Sequence, residues 1–438
     1  MEVHHFAVKT FCAADGRYIG MDIVSGRGND LRDEGRSLHY MMIRALKFVR
    51  LFRMLFGKGK LDVSQIEEMG LLSVKIAQMY AVRSDLLGTE RCVALQGLYE
   101  QTRPISWTEV EKILRDEAPP AFWEEVSVVD EAPIAAASLG QVHGATLRDG
   151  REVVVKVIKP RAREEFEKDL GAVKGLARCA LTFYPKLKRL ADPMGTIESI
   201  ARLTRTEMDL RNEGRGTRRL EEMREDAEQL AHMRRLSFPK VCEELSGEQV
   251  LVSERLRVQS VSEGMKKGSF SYDQLLNLFR TQGYFLFLRG EFHGDLHPGN
   301  VFYEGDRLWF IDNANIEVAD AKFTQGLLKF LGQLGEGAYG EAAKVMEEIA
   351  LTRPRNEVRY RADFEQLYAG FESGKSSLTN QMMETVKLCV HAGMEFPEGA
   401  FPVIKSLMYL DGIALRCAPE ANLLEDVLRY TGDLRPFE

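Results

Sequence analysis

The sequence predicts an α+β fold in which helices outnumber strands. Apolar residues recur at helical spacing along most of the chain. Strand patterns are short and confined to the middle of the chain: the apolar run EVVVKVI at Glu152–Ile158, and the pair Val301–Tyr303 and Leu308–Ile311. With 438 residues and 45% hydrophobic content, the chain can bury a large core, as one large domain with an extension or as two lobes.

Composition narrows the class of protein. The net charge of −7 and the pI near 5.8 argue against a nucleic-acid-binding protein, which usually carries a basic surface. Six scattered cysteines without a CxxC pair, and no signal-peptide pattern at the start, indicate a reducing cytoplasm. No apolar run reaches the roughly 20 residues that a membrane-spanning helix needs. We therefore expect a cytoplasmic protein.

The amino-terminal part begins with a glycine-containing stretch, Met1 to about Arg36, which predicts a loosely ordered arm or a short hairpin. A cationic, apolar helix is predicted next, at Leu38–Phe56. Its cations are Arg44, Lys47, Arg50 and Arg53. Such a helix either packs on the body of the protein or lies in a membrane interface, with its cations drawn to anionic lipid. The packed alternative is favoured, because the cations do not form one clean face.

A second helix is predicted from Ser64 to about Leu87, since Ser64-Gln65-Ile66-Glu67 has the form of a capping box. Lys75 and Gln78 share a face of this helix at i, i+3 spacing, and by themselves they are typical of a solvated pair. Helical patterning continues until Pro119-Pro120 ends it.

The segment Ala135–His143, AAASLGQVH, leads into a strand, and Asp149-Gly150 is a tight hairpin signal. Lys156 lies inside the apolar strand that follows, where a lysine costs free energy unless it is paired. A phosphate-binding lysine occupies this position in a nucleotide-binding amino-terminal lobe. That function is favoured over a snorkelling lysine on an edge strand.

Helices are predicted to dominate the chain from Arg161 to Met233. The one from Pro193 to about Glu213, with Asp192 as its N-cap, also carries Glu207 and Asp209. Glu207 and Glu213 lie roughly 120° apart around such a helix, so two different lysine partners are plausible.

A strand, a turn and a second strand are predicted between Pro239 and Glu254. The link Glu254-Arg255-Leu256 follows, where backbone groups could meet an adenine. Glu254 and Leu256 are therefore candidate nucleotide-binding residues.

The stretch Phe292–Asn313, FHGDLHPGNVFYEGDRLWFIDN, has the order of parts that a phosphoryl-transfer centre requires. Asp295 is expected to accept or orient the proton of an attacking hydroxyl. Asn300 and Asp312 can supply the oxygen ligands that Mg²⁺ prefers. A hairpin with its turn at Glu304-Gly305-Asp306 would bring these two ligands together. The two histidines of the stretch are expected to hold the loop's shape.

Together these motifs resemble the UbiB/ADCK family of atypical, protein-kinase-like proteins. The family's K-x-G-Q signature appears as Lys75-Ile76-Ala77-Gln78, followed by the R-x-D-L segment Arg83-Ser84-Asp85-Leu86. Its alanine-rich loop, which replaces the glycine-rich loop of ordinary kinases, matches Ala135–His143. Its E-x-D element falls at Glu207-Met208-Asp209.

The resemblance implies roles for these residues. The nucleotide lysine Lys156 would pair with Glu213, and Lys75 with Glu207. The phosphate-facing loop residues would be Ala136, Ala137, Ser138, Leu139 and Gly140. The regulatory residues would be Lys75, Gln78, Glu207 and Asp209.

Two positions depart from the family pattern. Ala77 replaces the glycine of K-x-G-Q, and Asp312-Asn313-Ala314 replaces D-F-G. Neither change removes a catalytic oxygen or nitrogen, so an active nucleotide site is still expected.

The fold implied by the resemblance is α+β and two-lobed, protein-kinase-like, with a helical amino-terminal extension and a mostly helical C-lobe. The expected segments are the arm and cationic helix (1–60), the KxxQ extension (61–125), the N-lobe (126–256) and the C-lobe (257–438). The implied ligands are ATP or ADP with Mg²⁺. The implied role is weak ATPase or small-molecule kinase activity in isoprenoid quinone or related lipid metabolism, with a lipid or quinone precursor as partner, at the inner face of a membrane.

Two other functions stay open. Small-molecule phosphotransferases of the aminoglycoside or choline kinase type share HGDLHPGN followed by ID, but they lack the Lys75–Gln78 extension. A nucleotide-binding scaffold without catalysis would be favoured by ADP binding without turnover.

Overall fold

The computed structural model describes residues 30–57, 59, 61–81, 87–99, 103–183, 193–371, 377–397, 399–421 and 423–428. Contacts within the chain group into two compact units. Unit 1 comprises residues 1–104, 136–140 and 159–205, and unit 2 comprises residues 105–135, 141–158 and 206–438. The four segments expected from the sequence are each continuous in the chain, whereas each of these units combines several separate stretches. The four segments stay a prediction.

The helices, in chain order, are α1 (Asp30–Phe56), α2 (Val63–Glu68), α3 (Leu71–Ala81), α4 (Thr89–Gln96), α5 (Trp107–Glu117), α6 (Pro120–Glu125), α7 (Ala162–Phe183), α8 (Pro193–Glu207), α9 (Arg211–Glu225), α10 (Val261–Lys267), α11 (Tyr272–Gly283), α12 (Ala321–Gly335), α13 (Tyr339–Ile349), α14 (Glu357–Ala369), α15 (Leu378–His391), α16 (Ala400–Cys417) and α17 (Leu423–Leu428). The strands are β1 (Val126–Ala136), β2 (Gly140–Leu147), β3 (Glu152–Ile158), β4 (Leu236–Ser237), β5 (Val250–Glu254), β6 (Gln259–Ser260), β7 (Glu291–His293), β8 (Val301–Glu304), β9 (Arg307–Phe310) and β10 (Ile316–Val318).

In unit 1, helix α1 is joined to α7 by a cluster of ion pairs. Arg44 is buried; its guanidinium binds Asp169 and, at 2.6 Å, Glu165. Lys47 binds the same Asp169 carboxylate, whose side chain is only 4% exposed. A buried carboxylate needs such partners, because an unpaired charge out of water is costly. Two of the four cations of this helix are therefore used in ion pairs within unit 1, so one face of α1 packs on α7. Contact of its exposed side chains with a membrane stays a prediction.

Unit 2 contains a four-stranded sheet of order β1-β2-β3-β5, in which β3 and β5 run antiparallel. Lys156 on β3 lies opposite Leu251 on β5. Helix α5 starts at a capping box formed by Ser106 and Glu109 and packs its apolar face into the same core as the sheet. The buried residues of this core include Val110, Ile113, Leu114, Phe122, Val153, Val155, Val157, Val250 and Val252.

The remainder of unit 2 positions the stretch Phe292–Asn313. A second sheet has the order β4-β9-β8-β6, and β7 pairs with β10 in a two-stranded antiparallel ribbon. The hairpin β8–β9 turns at Gly305, whose φ of +56° is accessible to glycine at little cost. The hairpin predicted between Asn300 and Asp312 is thus confirmed. One turn of π-helix, Tyr284–Arg289, follows α11 and leads into β7.

Several predicted boundaries are wrong. Helix α1 begins at Asp30, so the arm or hairpin predicted up to Arg36 does not hold for its last residues. The helix predicted from Ser64 is two helices, broken at Gly70, whose φ of +90° cannot continue a helix. Asp62, not Ser64, caps the first of them. The segment Arg83–Leu86 lies outside the described residues.

The predicted helix Pro193–Glu213 also divides, because α8 ends at Glu207 and α9 begins at Arg211. Glu207 and Glu213 therefore lie on different helices, and their angular separation on one helix has no meaning. The proposed cap Asp192 lies outside the described residues. Between Pro239 and Glu254 only β5 is a full strand, since the preceding segment contributes a single bridge at Val241.

Candidate functional site

The hairpin β8–β9 brings the two predicted metal ligands together. Val301 pairs with Phe310, and the N–H of Ile311 donates to the carbonyl of Asn300 at 3.0 Å. Asp312 follows directly after Ile311. The Asn300 side-chain amide donates to the carbonyl of Asp295 at 3.1 Å, which fixes the orientation of the side chain. Its role as a metal ligand stays a prediction.

The loop between β7 and β8 is held by its two histidines, as predicted. The N–H of Asp295 donates to Nδ1 of His293 at 3.1 Å, so Nε2 carries the proton and donates to the Ile311 carbonyl at 3.0 Å. Nδ1 of His297 accepts from the N–H of Gly299 at 3.1 Å. Burial lowers the pKa of both imidazoles, which keeps them neutral.

Lys156, Glu213 and Asp312 form a compact charged cluster. Nζ of Lys156 lies 2.6 Å from Oδ1 of Asp312 and 3.1 Å from Oε2 of Glu213. Burial alone would lower the pKa of Lys156, but the two carboxylates raise it, so the ammonium stays charged. The pairing of Lys156 with Glu213 is therefore confirmed, and Asp312 is a further partner that sequence reasoning did not name.

The backbone at Asp312 is in the left-handed region, with φ of +58°, which is uncommon for a residue other than glycine. Its N–H donates to Oε1 of Glu213 at 2.8 Å, and this bond helps to hold the conformation. The carboxylate side chain is 40% exposed, open enough to meet a ligand. Glu213 thus fixes both Lys156 and Asp312.

The residue after Asp312 is held from helix α9. Asn313 is fully buried, and its amide donates to Thr217 Oγ1 at 3.0 Å and to the Phe310 carbonyl at 3.2 Å. Gly216 approaches so closely that a Cβ there would lie 1.8 Å from the Asn313 carbonyl oxygen. Asn313, which replaces the Phe of D-F-G, is therefore accommodated by its hydrogen bond to Thr217 and by the close approach of Gly216. Sequence reasoning singled out neither Thr217 nor Gly216.

Two further residues reach Asp295 from helix α16. Nζ of Lys405 lies 2.8 Å from Oδ1 of Asp295, and the Tyr409 hydroxyl donates to the same oxygen at 2.7 Å. The i, i+4 spacing puts both on one helix face, but nothing local in their sequence indicates a catalytic partner. Sequence reasoning therefore missed them.

The alanine-rich loop belongs to unit 1. Ala136 ends β1, and the N–H of Ala137 donates to the Gly140 carbonyl at 2.8 Å across a tight bend through Ser138. Leu139 is buried, and its carbonyl accepts from Lys159 at 2.9 Å. Backbone hydrogen bonds hold the loop in a compact bend. Its contact with phosphates stays a prediction.

The next two polar residues of the AAASLGQVH motif are structural. Gln141 and His143 are buried in unit 2 and lie 2.9 Å apart, Nε2 to Nε2. The Gln141 amide also exchanges hydrogen bonds with the backbone N–H and carbonyl of Ile105, at 2.8 and 3.3 Å. His143 binds the carbonyl of Asp130 at 2.7 Å. These contacts fix the start of α5 against the sheet.

The predicted regulatory residues are divided between the units. In unit 1, the Gln78 amide donates to the Leu98 carbonyl at 2.8 Å, Ala77 is fully buried, and Lys75 is half-buried. In unit 2, Oε1 of Glu207 accepts from the Asn315 amide at 2.8 Å. The pairing of Lys75 with Glu207 stays a prediction.

Asp209 lies in the turn between α8 and α9. Its carboxylate binds the guanidinium of Arg211 at 2.8 Å, and this hydrogen bond lowers the pKa of Asp209. Asp209 thus stabilises the start of α9.

One backbone donor of the link predicted to meet an adenine is already used in a hydrogen bond within the protein. The N–H of Glu254 donates to the Lys240 carbonyl at 2.9 Å, so that donor already has a partner. Leu256 is half-buried just beyond the end of β5. Binding of an adenine at Glu254 and Leu256 stays a prediction.

Comparison with known families identifies the family of this chain. The family model described as the ABC1 atypical kinase-like domain matches residues 97–346, more than half of the chain. The chain belongs to the ABC1 atypical kinase-like family. The resemblance to the UbiB/ADCK family is therefore confirmed.

Three relatives of this ABC1 protein differ in how much of each chain is matched. It is 32% identical over 248 residues to a probable protein kinase UbiB of Aliivibrio fischeri, covering 55% of this chain but only 44% of that protein. It is 25% identical over 374 residues to an uncharacterized protein in the hydrogenase 1 5′ region of Clostridium pasteurianum, covering 83% and 68% of the two chains. It is 24% identical to an uncharacterized chloroplastic aarF domain-containing protein kinase of Arabidopsis thaliana, covering 82% and 72%.

A solved structure supports the fold of this ABC1 chain. The complex of Rv3197 with erythromycin from Mycobacterium tuberculosis matches with a TM-score of 0.54 and 21% identity, covering 92% of this chain and 98% of the other. The predicted α+β, two-lobed, protein-kinase-like fold is confirmed.

Proposed function

We propose that this protein binds ATP or ADP with Mg²⁺ and transfers or hydrolyses the terminal phosphoryl group of ATP. The observation that carries the proposal is the cluster in which Lys156 lies 2.6 Å from the carboxylate of Asp312 and 3.1 Å from that of Glu213. A charged lysine beside a metal-binding aspartate is the arrangement that kinase-like sites use for nucleotide phosphates.

The donor set fits Mg²⁺. Asp312 offers a half-exposed carboxylate, and Asn300 offers an oriented amide oxygen. Among the described residues, no group of three or more His, Cys, Asp or Glu side chains could hold a metal ion alone. This fits an ion that takes one or two protein oxygens and shares the rest with phosphates and water. When bound, Mg²⁺ would neutralise charge on the phosphates.

The chain's own residues can perform the remaining steps. Lys156 can donate to phosphate oxygens, and Glu213 keeps it and the Asp312 backbone in place. Asp295 would take the proton of the attacking hydroxyl or water as that oxygen bonds to the terminal phosphorus and the bond to the ADP leaving group breaks. The neutral His293 and His297 would hold this loop and exchange no proton.

A role in isoprenoid quinone or related lipid metabolism, at the inner face of a membrane, is the biological setting we propose. Its support is the 32% identity to a UbiB protein over 248 residues, together with the exposed apolar side chains of α1. Ile43 and Leu46 on that helix are more than half exposed, and Phe56 is 39% exposed. Among the described residues, no helix is both long and apolar enough to cross a bilayer, so contact would be peripheral, by insertion of apolar side chains at the interface.

Nucleotide binding is tested with Asp312→Asn. The matched control is Asp306→Asn, which removes an exposed carboxylate from the nearby β8–β9 turn. Thermal shift with Mg-ATP and Mg-ADP measures binding, and phosphate release measures turnover. We expect the parent and Asp306→Asn to be stabilised and to turn over ATP, and Asp312→Asn to lose both, because an amide is a weaker ligand for a hard cation.

Equal stabilisation of all three proteins by Mg-ATP would reject the metal role of Asp312. Binding that depends on Asp312 without any turnover would instead favour the nucleotide-binding scaffold. Robust labelling of an aminoglycoside or choline acceptor would favour the small-molecule phosphotransferase.

Membrane contact is tested by flotation with anionic vesicles. The variant is Arg50→Gln/Arg53→Gln, since Arg44 and Lys47 are used in ion pairs within unit 1. The control is Lys266→Gln/Lys267→Gln, which changes the net charge equally at exposed positions of α10. We expect only the first variant to float less, because cations near the surface attract anionic lipid. Equal flotation of both variants and the parent would reject α1 as the contact.

A further inference from the structure

Helix α16 delivers two donors to the carboxylate that the proposed chemistry uses as a base. Nζ of Lys405 and the hydroxyl of Tyr409 lie 2.8 and 2.7 Å from the same oxygen, Oδ1 of Asp295. Nζ of Lys405 also lies 3.3 Å from the Gly294 carbonyl, so it binds the loop at two points. Asp295 is thereby connected to an element more than 100 residues away in sequence.

The surroundings make these contacts stronger than surface ones. The side chains of Lys405 and Asp295 are only 17% and 23% exposed, and Tyr409 is buried. The ring of His297 packs edge-on against Tyr409, with the ring centres 6.3 Å apart. Charge-assisted hydrogen bonds in such partly dry surroundings are stronger and more directional than neutral ones.

We infer that Lys405 and Tyr409 are positioning residues, which set the orientation of the Asp295 carboxylate toward the acceptor hydroxyl or water. Two donors that converge on one oxygen restrict rotation of the carboxylate about its Cβ–Cγ bond. The inference rests on the proposed function, because it gives Asp295 the role of base. Lys405 and Tyr409 act through Asp295 and need not touch nucleotide or acceptor.

A purely structural ion pair would have a different signature. If the pair only stabilised the fold, its loss would lower the melting temperature and reduce all activities in parallel. A positioning role instead lowers kcat while the KM for Mg-ATP and the nucleotide-induced thermal shift stay near parental values. The loss of kcat should also disappear in the Asp295→Asn background. The effects of substituting residues that act as a unit do not add.

The test uses the full chain with Lys405→Met, Lys405→Arg and Tyr409→Phe, each also combined with Asp295→Asn. The control for loss of a lysine is Lys387→Met on α15, which removes a comparable, half-buried ion pair with Glu384. The control for loss of a buried tyrosine hydroxyl is Tyr284→Phe, which removes a bond to the Met223 carbonyl. ATP turnover, KM and Mg-ATP thermal shift are measured for each protein.

We expect Lys405→Met to lower kcat by about 10- to 100-fold, the size of effect that misplacing a catalytic group produces. Tyr409→Phe should lower it less, and Lys405→Arg should restore part of the loss, because it keeps the charge. None of these three substitutions should lower kcat further in the Asp295→Asn background. The two control variants should turn over ATP like the parent.

Two results overturn the inference alone: parental kcat in both Lys405→Met and Tyr409→Phe, or losses that add fully to that of Asp295→Asn. A parent that shows no Asp312-dependent binding or turnover overturns the proposed function, and the inference with it. If Lys405→Met does not fold, Tyr409→Phe, which removes a single oxygen atom, decides the outcome by the same criteria.

Discussion

Lys156 and Asp312 form an ion pair of 2.6 Å, although 156 residues separate them in the chain. Glu213 bonds to both, through Nζ of Lys156 and the backbone N–H of Asp312. One glutamate on α9 therefore sets the position of the proposed phosphate-binding lysine and of the proposed metal-binding aspartate. The strained backbone of Asp312, with φ of +58°, is held by this arrangement.

The first prediction concerns Glu213→Gln. Burial raises the pKa of Glu213, and its carboxylate is stabilised by the Lys156 charge. We expect kcat/KM for Mg-ATP to fall about tenfold or more as Lys156 and Asp312 lose their common anchor. The free energy of unfolding should fall by about 1–3 kcal/mol. The control is Glu222→Gln, which removes an exposed ion pair with Arg219 on the same helix. It should lower the free energy of unfolding by less than about 1 kcal/mol. Parental kinetics in Glu213→Gln would contradict the anchoring role.

The second prediction compares two glycines of α9. A Cβ at Gly216 would lie 1.8 Å from the Asn313 carbonyl oxygen, whereas a Cβ at Gly214 meets side-chain atoms at 3.6 Å or more. Gly216→Ala should lower the free energy of unfolding by about 1–3 kcal/mol and reduce ATP turnover, because the clash displaces the segment that carries Asp312. Gly214→Ala should be neutral or stabilise by up to about 1 kcal/mol. Chemical unfolding and phosphate release decide it, and equal behaviour of the two variants would refute the close approach.

The third prediction concerns the cations of α1. Arg44→Met leaves the buried Asp169 with Lys47 as its remaining cation, and should cost about 3 kcal/mol of unfolding free energy. Arg53→Met, at an exposed position, should change it by less than about 0.5 kcal/mol. Urea unfolding measures both. Similar values for the two would mean that the ion pairs between α1 and α7 contribute nothing.

The fourth prediction is a pH dependence of stability. Burial lowers the pKa of His293 and His297 below the ordinary 6.5, so below that pH the unfolded chain binds protons that the folded chain does not. The contribution of the two neutral imidazoles to the free energy of unfolding is therefore fully present above pH 6.5. It is lost as the pH falls below that value. The slope should be up to about 1.4 kcal/mol per pH unit for each histidine.

Unfolding by urea at pH 7.5, 6.5 and 5.5 tests this dependence. His297→Gln should show a shallower loss of stability than the parent on acidification. The control is His391→Gln, at an exposed position of α15. An unchanged slope in His297→Gln would show that this imidazole does not stay neutral in the folded protein.

By itself the sequence determined the α+β class and the hairpin β8–β9, because both depend on local signals. Apolar periodicity predicts helices and strands, and the glycine turn between two short strands fixes the register that brings Asn300 next to Ile311 and Asp312. Where local signals were ambiguous, the boundaries were wrong: Gly70 breaks a predicted helix, and α8 ends at Glu207. The pairing of Lys156 with Glu213 was reached through the family resemblance.

Tertiary structure alone decided which distant side chains meet at the site. Lys405 reaches Asp295 over 110 residues of chain, Asn313 packs against α9, and Arg44 binds Asp169 across 125 residues. The sequence around each of these residues does not indicate which distant residue it will contact. The partner depends on which helix faces pack together, and that is set by the burial of the whole core.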